Sequence, residues 1–222
     1  MSGFEVAVID YGVGNLLSVQ RALEHCGARV SVTGNHEALL ASPRVILPGV
    51  GAFGNGMMEL RRQGLDGIAL EIAARGVPLL GICLGMQMLL DESEEFGVCA
   101  GLGLIPGKVV PVPPVTSLGL PQKIPHIGWN TLQVSATRQA EAGSLIRDVT
   151  PSEAMYFVHS FMAEPADRDD RIADCLYGGV RISAVIGRGN VYGCQFHPEK
   201  SGLVGLKILR AFLAQTKVSV LV

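Results

Sequence analysis

Residues 77–87 read VPLLGICLGMQ. Val77 to Ile82 is a nearly continuous apolar run, which predicts a strand buried on both faces. Leu84 to Leu90 resumes at helical spacing, so Cys83 stands where a strand turns into a helix. It lies between Gly81 and Gly85. This G-x-C-x-G arrangement parallels the G-x-S-x-G nucleophile elbow, whose glycines let the chain turn without Cβ clashes. A helix start offers unpaired N–H groups and a positive dipole end, which favour a thiolate and can bind an oxyanion. A lone cysteine in an apolar run is more often structural, so the reading requires a base elsewhere in the chain.

Toward the N-terminus, strand-like and helix-like segments alternate. Phe4 to Ile9 and Arg29 to Thr33 predict strands, as does Arg44 to Leu47. Leu16, Val19, Leu23 and Cys26 recur at helical spacing, with Gly27 as the stop. A helix is predicted from Met57 to Ala74, interrupted in pattern by Gly64 and Gly67. Such alternation implies an α/β fold with a mostly parallel central sheet flanked by helices. Ligands of these sheets sit beyond the carboxyl ends of the strands, which places Asp10, Cys83 and the glycines at 49, 51 and 54 on one rim.

Those glycines belong to Val45–Gly56, VILPGVGAFGNG. The stretch satisfies G-x-G-x-x-G, a dinucleotide fingerprint. It follows the third strand, however, and that fingerprint belongs at the first βα turn. Glu71, about 20 positions on, falls late in the predicted helix rather than at a strand end.

The second half adds antiparallel strands. Met155 to Phe161, Arg181 to Ile186 and Val191 to Phe196 predict strands, with Gly187–Asn190 as a hairpin turn. Ser201 to Ala214 predicts a closing helix with Leu203, Leu206, Leu209 and Leu213 on one face. Pro111 to Pro125 is proline-rich and reads as a surface loop. No internal repeat or low-complexity linker divides the 222 residues, and a single domain over 1–222 is expected.

Among five histidines, His197 in YGCQFHPEK is best placed to serve Cys83. Pro198 biases it toward an extended conformation, in which residues two apart share a face. Glu199 then lies beside the imidazole and can orient it. His25 lies late in a helix and His36 in a polar loop, while His126 and His159 read as hydrogen-bonded core residues.

Composition narrows the rest. Hydrophobic residues make up 48% and charged residues 17%, which excludes a disordered chain. A net charge of −2 without a basic block argues against nucleic acid. The start, MSGFEVAVIDYG, lacks a basic n-region and reads as a strand, not a leader. No apolar run is long enough for a membrane helix. Five cysteines without C-x-x-C suit reduced thiols in the cytoplasm and predict no structural zinc.

The chain resembles the class I glutamine amidotransferases of the Cys-His-Glu type. GICLGMQ, FHPEKS and PGVGAF match three collinear motifs of that family. The resemblance implies a flavodoxin-like α/β fold with no cofactor and no metal. It implies a catalytic triad of Cys83, His197 and Glu199, oxyanion donors at Val50 or Gly51 and at Leu84, and a glutamine pocket from Gly51, Gln87, Glu95, Ser160 and Phe161. DYGVGN, PHIGWN and YFVHSF are similar to the histidine-biosynthesis branch, in which the glutaminase forms a heterodimer with a (β/α)8-barrel cyclase. That implies a docking face at Asn15, Trp129, Asn130, Tyr156 and Lys200. Another class I amidotransferase, a cysteine hydrolase acting alone and a dinucleotide-binding module are the alternatives.

Overall fold

The computed structural model describes residues 4–134 and 144–218. Strands β1 (Phe4–Ile9), β2 (Ala28–Thr33), β3 (Val45–Gly49), β4 (Leu79–Cys83), β11 (Arg171–Tyr177), β12 (Val180–Arg188) and β13 (Val191–Cys194) form the central sheet. Their order is β11-β12-β13-β4-β3-β1-β2. The run from β13 to β2 is parallel, and β11, β12 and β13 pair antiparallel. This matches the mostly parallel sheet with antiparallel additions that the sequence predicts.

Alternation along each strand builds two cores. Val6, Val8, Ile46, Leu80 and Ile82 join one apolar cluster, while Ala7, Ile9, Val45, Leu47 and Leu79 join the other. Helices α1 (Leu16–His25) and α6 (Gly202–Leu213) supply Val19, Leu23, Ile208 and Phe212 to the first. Helices α3 (Phe53–Arg62) and α4 (Leu65–Ala74) supply Met57, Leu60, Ile68 and Ile72 to the second. Each fully buried Leu, Ile or Phe contributes about 1.5–3 kcal/mol.

Several elements differ from the sequence reading. The helix expected over Met57–Ala74 is two helices, because Gly64 adopts a left-handed φ of 68° between α3 and α4. Residues 36–41 form a short helix, α2 (His36–Ala41), so His36 is not in a loop. Asn35 caps it, its side chain accepting from Ala38 N–H at 2.9 Å. The strand expected over Met155–Phe161 divides at Ser160 into β9 (Ala154–His159) and β10 (Phe161–Pro165). Gly187 and Arg188 are still in β12, and the tight turn is Gly189–Asn190. On α6 the buried face is Ile208, Leu209, Phe212 and Leu213, whereas Leu203 is exposed.

The periodicity of short or two-faced strands hid five further elements. One is β11. The others are β5 (Glu92–Ser93), β6 (Cys99–Ala100), β7 (Gly107–Pro111) and β8 (His126–Thr131). Strands β10-β7-β5-β6 make a small second sheet, and β8 and β9 an antiparallel ribbon. Pro111 ends β7. The proline-rich segment after it lies on the surface, tied by Ser117 N–H to the Gly178 carbonyl at 2.9 Å, with Leu118 and Leu120 exposed.

Candidate active site

Strands β3 and β4 are neighbours in register, with Gly49 opposite Cys83. Both end on the same rim. The glycine turn therefore sits beside the cysteine because two parallel strands stop together. Cys83 has φ 55° and ψ −110°, outside the regions open to most L-residues. Such strain costs about 1–3 kcal/mol and persists only where packing enforces it. Here the enforcement is steric: a Cβ on Gly85 would be driven into the Leu47 carbonyl oxygen, and one on Gly81 would meet the Gly85 carbonyl at 2.6 Å. Helix α5 (Leu84–Met88) starts immediately after the cysteine, so Leu84 N–H has no partner within its own helix.

The oxyanion candidates follow β3. Gly51 holds φ 92°, and nothing lies within 4 Å of where its Cβ would be. The strand end behind it is pinned, since Tyr11 donates its hydroxyl to the Pro48 carbonyl at 2.8 Å. Phe53 N–H, at the start of α3, donates to Glu95 Oε2 at 2.6 Å. Glu95 thus holds the N-terminus that a dinucleotide phosphate would need, and a second anion there would be repelled.

His197 lies just beyond β13, buried, with Nδ1 2.8 Å from Glu199 Oε1. The pairing expected from the sequence is present, but its geometry differs. His197 is extended, while Pro198–Lys200 is a 3-10 turn that folds Glu199 back under the ring. Three bonds fix this turn. His197 N–H donates to the Tyr156 carbonyl at 3.0 Å. Ser201 Oγ donates to the His197 carbonyl at 2.6 Å and accepts from Tyr156 N–H at 3.0 Å. Burial alone would push the imidazole pKa down, but hydrogen bonds to the Cys83 sulfur and the Glu199 carboxylate outweigh it and raise it to about 9. By contrast, burial pushes the Cys175 thiol up to about 12, and that thiol lies in the apolar core.

One cavity of about 240 Å³ collects these groups. It is lined by Val50, Gly51, Cys83, Leu84, Gln87, Glu95, Val158, His159, Ser160, Phe161 and His197. All five residues expected to hold glutamine face it together with the cysteine and histidine. The size suits an amino acid rather than a drug-sized ligand, whose pockets run about 300–1,000 Å³. Among the described residues, no group of three His, Cys, Asp or Glu side chains is placed to hold a metal.

Sequence reasoning missed Gln195, Ser201, Tyr11 and the pairing of two histidines. Gln195 is fully buried and lies between Gln87 and Cys83. His126 and His159, expected as satisfied core residues, bond to each other at 3.0 Å. Burial lowers both imidazoles to about 4, so they are neutral at pH 7. A glutamine inside an apolar strand run was the available signal for Gln195. The others carry none without the fold.

The docking candidates are only partly gathered. Trp129 and Tyr156 are cross-strand partners in the β8–β9 ribbon, rings 5.8 Å apart, with Trp129 61% exposed. Lys200 is exposed on the turn that carries Glu199. Asn15 precedes α1, which packs against that turn. Asn130 stands apart: its side chain donates to the Leu176 carbonyl at 2.8 Å and is committed internally.

The family described as Glutamine amidotransferase class-I matches residues 7–216. Imidazole glycerol phosphate synthase subunit HisH 1 of Legionella pneumophila (strain Lens) is 49% identical over 208 residues, covering 94% of this chain and 98% of its own. The HisH subunit of Geobacillus kaustophilus is 47% identical, covering 94% and 95%. Among solved structures, PurLQS from Thermotoga maritima aligns with a TM-score of 0.70 at 22% identity, covering 96% of this chain and 98% of that one. A Trypanosoma brucei CTPS glutaminase domain with bound acivicin aligns with a TM-score of 0.63 at 15% identity, covering 97% and 96%. At these identities the structural likenesses establish the fold.

Proposed function

Since the chain belongs to the class-I glutamine amidotransferase family, we propose that it is the glutaminase subunit of an imidazole glycerol phosphate synthase. Relatives bearing that subunit name cover nearly the whole chain at 47–49% identity. The observation that carries the chemistry is the single cavity shared by Cys83, His197 and the predicted glutamine ligands.

In this reading His197 takes the thiol proton of Cys83 and later delivers one to the leaving ammonia, and its raised pKa supports the charged form that step needs. The sulfur attacks the side-chain amide carbon of glutamine. Leu84 N–H and an N–H at Val50 or Gly51 receive the oxyanion. His197 gives its proton to the departing ammonia, leaving a glutamyl thioester. Water adds with His197 as base, the C–S bond breaks, and glutamate leaves. Glu199 holds the ring and stabilises its charged form. Losing one oxyanion donor costs roughly 2.7–4 kcal/mol of barrier. Gly51 is free to turn its peptide, so the subunit alone is nearly idle and acquires its second donor in the complex.

The partner is a (β/α)8-barrel cyclase, bound as a heterodimer in the cytoplasm, which uses the ammonia to make imidazole glycerol phosphate and an aminoimidazole carboxamide ribotide. The chain acts as one domain. Trp129, Tyr156 and Lys200 lie on the docking face, where an exposed aromatic pair gives large contact area with polar handles. The test is glutamine turnover with and without the cyclase, using wild type and Cys83→Ala. Cys83→Ala loses glutamine-dependent synthesis by at least about 10⁴-fold, in the range seen for triad deletions, while the complex still uses free ammonia. Loss of both activities, or equal glutaminase rates with and without the cyclase, contradicts the reading.

A further inference from the structure

The carbonyl of Phe161 accepts two hydrogen bonds, from His159 Nδ1 at 2.9 Å and from Gln87 Nε2 at 3.0 Å. A carbonyl only accepts, so both groups must be donors. His159 is thereby the Nδ1–H tautomer, and its Nε2 accepts from His126 Nδ1–H. Gln87 must present its NH2 group, whose second N–H reaches Gln195 Oε1 at 3.0 Å. That spends the Gln195 oxygen and turns its NH2 toward Cys83 Sγ, 3.8 Å away. The flipped Gln195 amide would set N–H against N–H at one end and oxygen against sulfur at the other. One main-chain acceptor therefore fixes the orientation of every amide and imidazole up to the nucleophile.

We propose that Gln195 is a further catalytic residue of the glutaminase reaction, its side-chain N–H donating to the Cys83 sulfur. The inference rests on the glutaminase reading above. A donor to sulfur favours thiolate over thiol, since a hydrogen bond to the charged form stabilises it. During attack the sulfur electron pair forms the S–C bond, the carbonyl π pair moves onto the acyl oxygen, and the N–H bond to sulfur weakens. During thioester hydrolysis the C–S bond breaks, the electron pair returns to sulfur, and the same N–H receives it. Gln195 carries no ionisable proton, so this donor is present at every pH at which the chain folds. His159 and Gln87 act through it as positioning residues, and the buried His126 holds His159 in its tautomer.

Gln195→Met keeps length without an amide acceptor or donor, and Gln195→Leu keeps similar bulk without them, neither adding a charge. Iodoacetamide alkylation of Cys83, followed at that peptide by mass spectrometry at pH 7, reads the thiolate without substrate. In folded variants of matched thermal stability, the rate falls about tenfold, the worth of one hydrogen bond to a charged group. In the cyclase complex, kcat for glutamine falls by a similar factor with KM within about twofold, as for an interaction made on the reaction coordinate. Alkylation within twofold of wild type in either folded variant overturns the proposal. Should neither variant fold, the wild-type protein decides: the Gln195 side-chain amide resonance shifts on alkylation of Cys83, and an unmoved resonance overturns the proposal. A wild-type complex that fails to hydrolyse glutamine, with the alkylation contrast intact, removes the glutaminase reading and leaves the donor standing.

Discussion

Two flanks meet at Cys83, and they are built differently. On one side, β3 and β4 end together and the site is backbone: a glycine turn, a helix start and a strained cysteine between two glycines. On the other, β8, β9 and the segment that follows β13 present side chains: His197, Glu199, Gln195 and the His126–His159 pair. The first flank is held by backbone sterics, chiefly the close approach of Gly85 to the Leu47 carbonyl on the neighbouring strand. The second is held by hydrogen bonds between residues up to 112 positions apart. The contrast implies that the backbone flank fails all at once and the side-chain flank by degrees.

The largest effect is expected on the backbone flank. Gly85→Ala drives a methyl into the Leu47 carbonyl and destabilises by more than about 4 kcal/mol, the range reserved for severe overpacking and strain. Urea unfolding, or failure to obtain folded protein, checks it. A variant within 1 kcal/mol of wild type would break the claim that sterics hold this flank.

Ser201→Ala removes both bonds of the serine hydroxyl around the His197 turn. The expected loss is about 1–3 kcal/mol, from leaving buried groups unsatisfied, together with lower glutaminase turnover. A stability loss without an activity loss would separate the turn from the chemistry.

The next effects are shifts rather than losses. His197 titrates near 9 because Cys83 and Glu199 favour its charged form. In the proposed mechanism the imidazolium delivers a proton to ammonia, so glutamine kcat/KM is expected to fall as pH rises through about 9. Glu199→Gln removes a negative charge and moves that alkaline limb to lower pH. A limb that stays in place would show that the carboxylate only orients the ring.

The smallest effect concerns the neutral histidine pair. His126 and His159 titrate near 4 when folded, because burial disfavours their charged forms, and near the ordinary imidazole value of about 6.5 when unfolded. Between those values the unfolded chain binds more protons, so stability falls as pH drops from 6.5 toward 4, with an uptake approaching about two protons on unfolding. Replacing His126 with Phe removes one of them and flattens the slope in urea titrations across that window. An unchanged slope would mean that His126 is not held neutral by the fold.

Legibility from the sequence followed the same division. The strand before Cys83, the glycines around it, the rim shared with Gly49 and Gly51, and the Cys-His-Glu set could all be read from residues 45–56, 77–87 and 197–199. They rest on periodicity, turn chemistry and local spacing. His197 and Glu199 were paired for partly the wrong reason, since a 3-10 turn and not an extended segment brings them together. Glu95 was expected to meet glutamine, and it does line the cavity, but its bond to Phe53 N–H also caps α3. Gly64 was read as a weak point in one helix, and it is the break between two.

What the sequence determined by itself was therefore the parallel α/β frame and the candidate nucleophile, because burial on alternating faces and a glycine-flanked strand-to-helix junction are written in local spacing. Which buried amide faces the sulfur, which tautomer each histidine adopts, and which strand steadies His197 were decided only by the tertiary structure. Each depends on where a distant main-chain carbonyl or hydroxyl comes to rest, and a hydrogen bond is specified by distance and direction, neither of which is written in spacing along the chain.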